Sequence, residues 1–395
     1  MTQDHLDTQL AHLGENRAAH QGAVVLPIFQ NSLFTFESWD AIDAAFDDRV
    51  KNPIYSRGTN PTVRLVEEKL AAMAGGEMAR LFASGMAAIS SAILHCIGPG
   101  DHIVTIRNVY GPTQNLLSRY LVEKMGISVT FVSGEDPAEW EAAITDRTAL
   151  FYLESPSSAV FSLQDVAAVA AIAKARGIRT ILDNTWATPV FQKPLAMGVD
   201  LEVHSASKYL GGHSDFVAGA IVGSEADLRS IALREYELLG GKMAPFEAWL
   251  MLRSFRTMTI RMRQHQENAH VVAEWLDAHP KVRRVRWPGL ASFQQAELAR
   301  RQMTGFSGLM GFTLDTEDLA AIKRFFDALR LFLRGVSWGG HESLIYAPAI
   351  SYLKELTPER FAALGISAGD MRISVGLEDP RDLVADLEQA FGAMG

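Results

Sequence analysis

The stretch His204-Ser-Ala-Ser-Lys-Tyr-Leu-Gly-Gly-His-Ser-Asp215 contains Lys208, which lies 25 residues after the end of a short apolar run, Thr180-Ile-Leu-Asp183. A lysine amine can form a Schiff base with an aldehyde cofactor. An aspartate at the carboxyl end of a buried strand can keep a pyridine nitrogen protonated. Either residue alone is more often a solvated lysine or a turn aspartate. Together they indicate a site for pyridoxal 5′-phosphate (PLP).

Short apolar runs alternate with helical patterns on both sides of this stretch. The predicted strands are His102–Ile106, Ser128–Val132, Leu150–Leu153, Thr180–Leu182 and Leu201–His204. The predicted helices between or before them are Glu67–Ala74, Met86–Cys96, Gln114–Lys124 and Gln164–Arg176. Uninterrupted apolar strands separated by helices predict an α/β fold, with a mostly parallel sheet that is covered on both faces.

The pattern changes after Gly240-Gly241. A long helix is predicted from about Pro245 to His279, and a further helix at Leu319–Leu329. The strand candidates in this part are Arg283–Trp287, Gly308–Leu314 and Met371–Val375. This order predicts a smaller α+β domain. We therefore expect an N-terminal arm on a partner subunit (residues 1–60), a large cofactor-binding domain (61–245) and a small C-terminal domain (246–395).

Composition limits the classes of function. The net charge of −9 argues against nucleic acid as the main partner. The single cysteine, Cys96, excludes a disulfide framework and a cysteine metal site, and fits a reducing cytoplasm. Residues 81–100 lack Asp, Glu, Lys and Arg but contain several Ser and Gly and one Pro, so we expect a buried helix there and no membrane span. The polar start Met1-Thr-Gln-Asp-His5 does not resemble a signal peptide.

Candidate cofactor contacts fall at strand ends, where open α/β sheets bind ligands. Ser84, Gly85 and Met86 precede a predicted helix and can offer N–H groups to a phosphate, although the same residues also make good helix caps. The hydroxyls of Ser205 and Ser207 lie beside Lys208 in the sequence. We include all five as candidate phosphate contacts.

Two arginines and a tyrosine complete the set of candidates. Tyr110 follows a strand and could stack on a cofactor ring or serve as a core tyrosine. Arg57 stands two residues after Tyr55 in a Gly/Pro loop, and its guanidinium offers a fork of donors to a phosphate. Arg372 lies within an apolar strand, where it needs an anionic partner, either a substrate carboxylate or a structural carboxylate.

These motifs, in this order, resemble the Cys/Met-metabolism family of fold-type I PLP enzymes over residues 8–379. The resemblance rests on Tyr55-Ser-Arg-Gly-Thr-Asn-Pro-Thr62, Ala83-Ser-Gly-Met86, Asp183-Asn-Thr-Trp-Ala187, the Lys208 stretch and Gly339-Gly-His-Glu-Ser-Leu344. It implies an aspartate aminotransferase-like fold. It also implies homotetramers built from two tight dimers, in which Tyr55 and Arg57 reach the phosphate of the neighbouring subunit.

The resemblance further implies roles for single residues. Lys208 binds the cofactor covalently and moves protons, Asp183 holds the pyridine nitrogen, and Tyr110 stacks on the ring. Arg372 binds the substrate's α-carboxylate. Ser337, Trp338 and Tyr110 are further substrate-binding candidates, and Tyr110 is a catalytic candidate together with Lys208 and Asp183. The substrate would be a small sulfur-containing amino acid, and no metal is implied.

Within the family the sequence is most similar to cystathionine β-lyases, because Trp338 follows Ser337 where γ-acting members usually have Leu. Val336 stands where many γ-acting members have Glu, but it is not the Tyr usual in bacterial β-lyases, and His341 replaces a common aromatic. We expect α,β-elimination of L-cystathionine or related cysteine S-conjugates. γ-Elimination and γ-replacement remain open, with methionine, cystathionine or an O-acylhomoserine as substrate.

Two alternatives come from outside this chemistry. Ser205-Ala-Ser-Lys208 also matches the Ser-x-x-Lys motif of penicillin-binding serine hydrolases, but the Lys-Thr-Gly motif that accompanies it is absent from the sequence. A regulator that kept the fold without the chemistry is disfavoured by the presence of Lys208, Asp183 and Arg372.

Overall fold

The computed structural model describes residues 5–355 and 365–395. The larger of its two sheets has the order β1-β7-β6-β5-β4-β2-β3, and β7 runs opposite to the other six strands. Its strands are β1 Met78–Phe82, β2 His102–Ile106, β3 Ser128–Val132, β4 Thr148–Glu154, β5 Arg179–Asp183, β6 Leu201–His204 and β7 Gly219–Gly223. The expected mostly parallel sheet is confirmed.

Helices precede, connect and follow these strands. Several begin where a polar side chain accepts a hydrogen bond from the first turn, as Asn60 and Ser84 do. The α-helices of this part are Leu6–His12, Trp39–Phe46, Pro61–Ala74, Gly85–Cys96, Gly111–Asn115, Val122–Met125, Pro137–Ala142, Val166–Ala175, Thr188–Phe191, Glu225–Ile231 and Glu237–Leu239. Wider π-helical turns occupy Leu116–Leu121 and Ala232–Tyr236, and short 3₁₀ turns occupy Ala18–His20 and Pro194–Met197.

The smaller sheet has the order β10-β11-β12-β9-β8. Its strands are β8 Val282–Arg286, β9 Leu309–Leu314, β10 Leu333–Arg334, β11 Leu344–Tyr346 and β12 Asp370–Ser374. The α-helices of the same C-terminal part of the chain are Pro245–Phe255, Met258–Asp277, Ala296–Gln302, Leu319–Ala328, Ala349–Glu355 and Pro380–Gly392. One buried apolar cluster runs from Leu81 of the larger sheet to Phe312 of the smaller one, so the two sheets share a core. The domain boundaries at residues 60 and 245 stay predictions.

The prediction of a single long helix from Pro245 to His279 is wrong. The chain forms two helices, Pro245–Phe255 and Met258–Asp277. Both the backbone N–H of Thr257 (3.1 Å) and its side-chain hydroxyl (3.3 Å) donate to the carbonyl of Ser254. These bonds tighten the turn and interrupt the i→i−4 series, because side-chain hydroxyls compete with helical hydrogen bonding.

The uncharged segment 81–100 forms the end of β1 and the helix Gly85–Cys96. This helix covers the larger sheet with buried residues that include Ala88, Ile89 and Ile93. Within residues 5–355 and 365–395, no helix is both long and apolar enough to cross a bilayer. Four residues of the polar start, Met1 to Asp4, lie outside the described residues.

Glu15 ties the N-terminal segment to the rest of the chain. Its carboxylate lies 3.4 Å from the Lys69 ammonium and 3.0 Å from the Arg256 guanidinium, and Arg17 lies 2.9 Å away. The side chains of Glu15 and Lys69 are 4% and 0% exposed. A charge pair this deeply buried needs both partners.

Candidate active site

A cavity of about 510 Å³ opens at the carboxyl ends of the parallel strands. Val336 stands at its rim and is 71% exposed. Ten of the thirteen predicted site residues line it: Ser84, Gly85, Met86, Tyr110, Asp183, Ser205, Ser207, Lys208, Ser337 and Trp338. The structure thus brings together residues from five separate stretches of sequence.

The N-terminus of helix Gly85–Cys96 forms one wall. Ser84 caps it, since its hydroxyl oxygen accepts from the N–H of Ala87 at 3.1 Å. A Cβ atom on Gly85 would lie 2.9 Å from the Cβ and Oγ of Ser205, too close for any side chain. Glycine therefore lets the helix start pack directly against Ser205. First-turn N–H groups at this position suit a phosphate.

Ser205 and Ser207 make different hydrogen bonds. The Ser205 N–H donates to Thr185 Oγ1 at 2.8 Å. The Ser207 hydroxyl donates to the Ala218 carbonyl (3.2 Å) and accepts from the Ala218 N–H (2.9 Å). Because its one hydrogen is already used, Ser207 is a weaker phosphate donor than its position in the sequence indicated.

Asp183 ends β5 and is 7% exposed. Its Oδ1 atom accepts from the N–H of Thr185 (3.0 Å) and from the Thr185 hydroxyl (2.5 Å). Burial raises the pKa of the Asp183 carboxyl, whereas the Thr185 hydrogen bonds lower it. Among the described residues both side-chain hydrogen bonds go to Oδ1, which leaves Oδ2 for a donor from a ligand.

The Lys208 side chain contacts the loop that carries Ser337 and Trp338. Its Nζ donates to Ser337 Oγ and lies 4.6 Å from the centre of the Trp338 ring. Burial lowers the pKa of the Lys208 amine to about 8; the Arg372 cation acts in the same direction and Asp183 opposes it. A larger neutral fraction at neutral pH makes this amine a better nucleophile and proton acceptor than a solvated lysine.

The loop that carries Ser337 and Trp338 lies against the Lys208 backbone. Ser337 adopts a φ of 83°, and Gly339 a φ of 85°. A Cβ on Gly339 would lie 2.7 Å from the backbone nitrogen of Tyr209 and 3.0 Å from the carbonyl carbon of Lys208. Only glycine permits this contact, which fixes the distance between the loop and Lys208.

Tyr110 follows β2 and is 37% exposed. Its backbone N–H donates to Glu154 Oε2 at 2.7 Å. Burial first, and then the Asp183 and Glu154 carboxylates, raise the pKa of the Tyr110 phenol. The phenol therefore stays protonated at neutral pH.

Arg372 is not among the residues that line the cavity, although it lies close by. Its guanidinium carbon is 5.1 Å from the centre of the Trp338 ring. The same ring thus contacts both Arg372 and the Lys208 amine. Arg372 thus lies beside Trp338, and the cavity lining includes the indole ring and not the arginine.

Tyr55 and Arg57 lie away from the cavity of their own chain. The Tyr55 residue is 48% exposed and the Arg57 side chain 51% exposed. The Arg57 guanidinium lies 5.5 Å from the Tyr55 ring centre and 3.6 Å from a Glu237 carboxylate oxygen. A role at the cofactor therefore requires a second chain.

The set of predicted site residues lacks five polar residues of the cavity lining: Glu154, Ser158, Thr185, Ser214 and Glu342. Glu154 had a detectable signal, because it ends an apolar strand just as Asp183 does. Thr185 was quoted only as part of a motif. Glu342 accepts from the hydroxyl of Ser214 at 2.5 Å and so joins the loop after Lys208 to the loop after Trp338. No local pattern indicates this pairing.

The residues present fit PLP. The close approach of Gly85 to Ser205 leaves backbone N–H groups at a helix start, Asp183 has an oxygen free of protein donors among the described residues, and Lys208 has an amine of lowered pKa. The helix start suits the phosphate of PLP, Asp183 suits its pyridine nitrogen, and Lys208 suits its aldehyde. In the same described part of the chain, no group of three or more His, Cys, Asp or Glu side chains is placed to hold a metal ion.

Comparison with known proteins agrees with this geometry. Residues 7–392 match the model of the Cys/Met metabolism PLP-dependent enzyme family. The chain belongs to this family. It is 41% identical to an L-methionine gamma-lyase of Pseudomonas putida (98% of this chain, 97% of the relative). It is 38% identical to a cystathionine beta-lyase of Coxiella burnetii (98% of each) and 37% identical to an O-succinylhomoserine sulfhydrylase of Pseudomonas aeruginosa (98% and 95%).

Membership of the Cys/Met metabolism family makes the protein a PLP-dependent enzyme of sulfur amino-acid metabolism. It also favours this chemistry over the serine hydrolase alternative. The names of the relatives cover β-elimination, γ-elimination and sulfhydrylation, so they leave the reaction of this chain to be argued from its own residues.

Proposed function

We propose that the enzyme catalyses α,β-elimination of L-cystathionine or a related cysteine S-conjugate. With cystathionine the products are homocysteine, pyruvate and ammonia. The observation that carries this proposal is the packing of Ser337 and Trp338 against the amine of Lys208, with Val336 at the rim.

Lys208 performs the proton transfers in this proposal. When PLP is bound, it supplies an electron sink that acidifies the substrate's Cα–H bond. The neutral Lys208 amine accepts the Cα proton. The Cβ–S bond then breaks, its electron pair leaves with sulfur, and Lys208 returns the proton to give a thiol. The three-carbon remainder is hydrolysed to pyruvate and ammonia. An amine of lowered pKa suits both steps.

The surroundings of Lys208 favour the β-reaction. In β-elimination, one group can both accept the proton from Cα and protonate the sulfur on Cβ, because these atoms are close together. The hydrogen bond to the Ser337 hydroxyl and the nearby Trp338 ring support a position of the amine that serves both atoms. γ-Chemistry also needs a Cβ proton removed and the intermediate guided onward. Val336 supplies no carboxylate for this task.

Substrate binding is assigned to Arg372 and Ser337. Arg372 offers a fork of N–H donors that matches a carboxylate. We propose that it binds the substrate's α-carboxylate at the edge of the Trp338 ring. This orients the Cα–H bond toward Lys208.

We also propose that Tyr55 and Arg57 act on the phosphate of a neighbouring subunit. Both side chains are about half exposed, which suits a contact that another chain completes. The same N-terminal segment exposes several large apolar side chains: Val24, Leu33, Trp39 and Phe46. Exposed apolar groups of this size are typical of protein interfaces. The proposed assembly is a homo-oligomer with shared sites.

γ-Elimination is the second candidate, because the relatives at about 40% identity include several L-methionine gamma-lyases. The test supplies L-cystathionine, L-methionine and O-succinylhomoserine in parallel and identifies the keto acid. Pyruvate from cystathionine, at a higher kcat/KM than any product from the other two, supports the proposal. Predominant 2-oxobutyrate, or a γ-substituted product from the activated homoserine, overturns it.

A further inference from the structure

The guanidinium of Arg372 lies close to two aromatic rings. Its carbon is 5.1 Å from the ring centre of Trp338 and 5.2 Å from that of Tyr346. Trp338 belongs to the cavity lining, whereas Tyr346 does not. Tyr346 therefore contacts Arg372 from outside the cavity lining.

Strand register places Tyr346 opposite Arg372. In the antiparallel pair β11–β12, Tyr346 faces Arg372 and Leu344 faces Ser374. Side chains alternate between the two faces of a sheet. Leu344 lines the cavity, so Tyr346 and Arg372 share its face. Ile345 and Ile373 are fully buried on the other face.

The Tyr346 ring is anchored at its outer end. Its hydroxyl makes a hydrogen bond with the hydroxyl of Ser351, in helix Ala349–Glu355. With the hydroxyl engaged there, the contact with Arg372 is made by the ring. An aromatic face attracts a cation through its quadrupole, and arginine also stacks on it through its planar group.

We propose that Tyr346 is a positioning residue for Arg372, which it holds against Trp338 so that the guanidinium donors face the substrate's α-carboxylate. The proposal rests on the carboxylate-binding role given to Arg372 above. An arginine side chain has many rotamers, and contact with two rings restricts them before substrate arrives. Tyr346 would then act on carboxylate recognition and leave the proton transfers of Lys208 unchanged.

The test measures binding of glycine to the holoenzyme, followed by the visible absorbance of bound PLP. Glycine has the α-carboxylate but no leaving group. Tyr346→Leu and Tyr346→Met, which remove the ring, should weaken glycine binding by about 3- to 30-fold, the range expected for one cation–π contact. Tyr346→Phe keeps the ring and should stay within about twofold.

Methylamine is the matched ligand, because it has the amine without the carboxylate. Its binding should be equal in all four proteins. In turnover, Tyr346→Leu should raise KM for the amino-acid substrate and change kcat less. If one variant fails to fold or to retain PLP, the other two still test the ring against its removal.

The outcomes separate this proposal from the function it rests on. Unchanged glycine binding in Tyr346→Leu and Tyr346→Met overturns the role of Tyr346, while a large loss in Arg372→Leu keeps the role of Arg372. Unchanged glycine binding in Arg372→Leu overturns the carboxylate assignment itself. Equal weakening of glycine and methylamine in the Tyr346 variants indicates general disruption of the site and also overturns the positioning role.

Discussion

Glu154 and Asp183 are register partners on the neighbouring parallel strands β4 and β5, so two buried carboxyl groups stand side by side at the edge of the cavity. Burial is the main reason that the pKa of each carboxyl is raised, and the charge of Asp183 adds to the effect on Glu154. Bound PLP would offer a positive nitrogen to Asp183, whereas the hydrogen-bond partners of the Glu154 carboxyl in the described part of the chain, such as the N–H of Tyr110, are neutral. We infer that Glu154 is the partner that keeps its proton.

The first prediction concerns the pH dependence of stability. A carboxyl group with a raised folded-state pKa gives a stabilisation that is complete below its unfolded pKa of about 4.3, and this is lost as pH rises through the folded value. Glu154→Gln removes that loss and retains an acceptor for the Tyr110 N–H. The melting temperature of the variant minus that of the parent should therefore increase from pH 5 to pH 8.

Thermal unfolding of the holoenzymes at several pH values measures this difference. Glu141→Gln is the control, since Glu141 lies in an ion pair with Arg176 in which both side chains are about half exposed. The melting temperature of Glu141→Gln minus that of the parent should stay nearly constant over this pH range. A constant difference for Glu154→Gln as well would mean that Glu154 titrates normally.

The second prediction concerns Lys208. Only a neutral amine attacks the aldehyde of PLP, so the rate of PLP attachment to the cofactor-free enzyme should rise with pH and level off above about 8. Arg372 lowers the pKa of Lys208, and Arg372→Leu should move the midpoint upward. Asp183 has the opposite effect, and Asp183→Asn should move it downward.

Borohydride reduction followed by peptide mass analysis measures the attached PLP at each pH. All of the label should lie on Lys208, and Lys208→Arg should show none there. Label on another lysine would contradict the assignment of Lys208.

The third prediction concerns assembly. If Arg57 completes the site of a neighbouring subunit, mixing inactive Arg57→Ala with inactive Lys208→Ala restores activity, because each hybrid dimer contains one intact site. Random mixing in equal amounts leaves about a quarter of all sites intact. The experiment measures turnover after the subunits have been exchanged.

The control for this exchange pairs Arg57→Ala with a double Arg57→Ala, Lys208→Ala variant, which can form no intact site. Sites that each belong to one chain would leave both mixtures inactive. Subunit exchange itself is checked with two differently tagged chains.

The fourth prediction concerns the buried pair of Glu15 and Lys69. Burial lowers the pKa of the Lys69 amine, and Glu15 opposes that effect. Glu15→Leu leaves a buried ammonium with less compensation and should cost about 3–5 kcal/mol in urea unfolding. The double variant Glu15→Leu, Lys69→Met should be more stable than Glu15→Leu alone. Equal stability of the two variants would mean that, without Glu15, water solvates the Lys69 ammonium or the cations Arg17 and Arg256 move away from it.

Much of the fold follows from periodicity, and the exceptions have physical causes. The predicted strand His102–Ile106 is buried throughout and matches the structure. Strand β1 was missed because Arg80 interrupts it; the arginine is buried there by an ion pair with Glu67, 13 residues earlier. Strand β7 was missed because it is short and bounded by glycines. A Cβ on Gly219 would lie 2.1 Å from the carbonyl oxygen of Ser84, a close approach that sequence periodicity does not indicate.

The candidate site also contains some residues that lie in local sequence motifs and others that only the tertiary fold brings together. Lys208, Asp183 and Ser84 belong to compact motifs and were found from sequence. Glu342 and Tyr346 contact Ser214 and Arg372, which lie in distant stretches of sequence, and only the folded chain brings these residues together. Pairings between loops depend on tertiary structure and leave little local signal.

The contact of Gly339 with the Lys208–Tyr209 backbone limits how this enzyme can acquire another substrate. Side chains cannot be added at residue 339, and the loop cannot move inward without colliding with the backbone that carries the reactive amine. New specificity must therefore be sought by exchanging side chains on a fixed loop. Val336, exposed at the rim, is the position most open to such exchange, whereas a change at Trp338 alters the surroundings of two cations at once. Libraries that vary residue 336 and keep 339 as glycine should yield more folded, active enzymes than libraries that vary both.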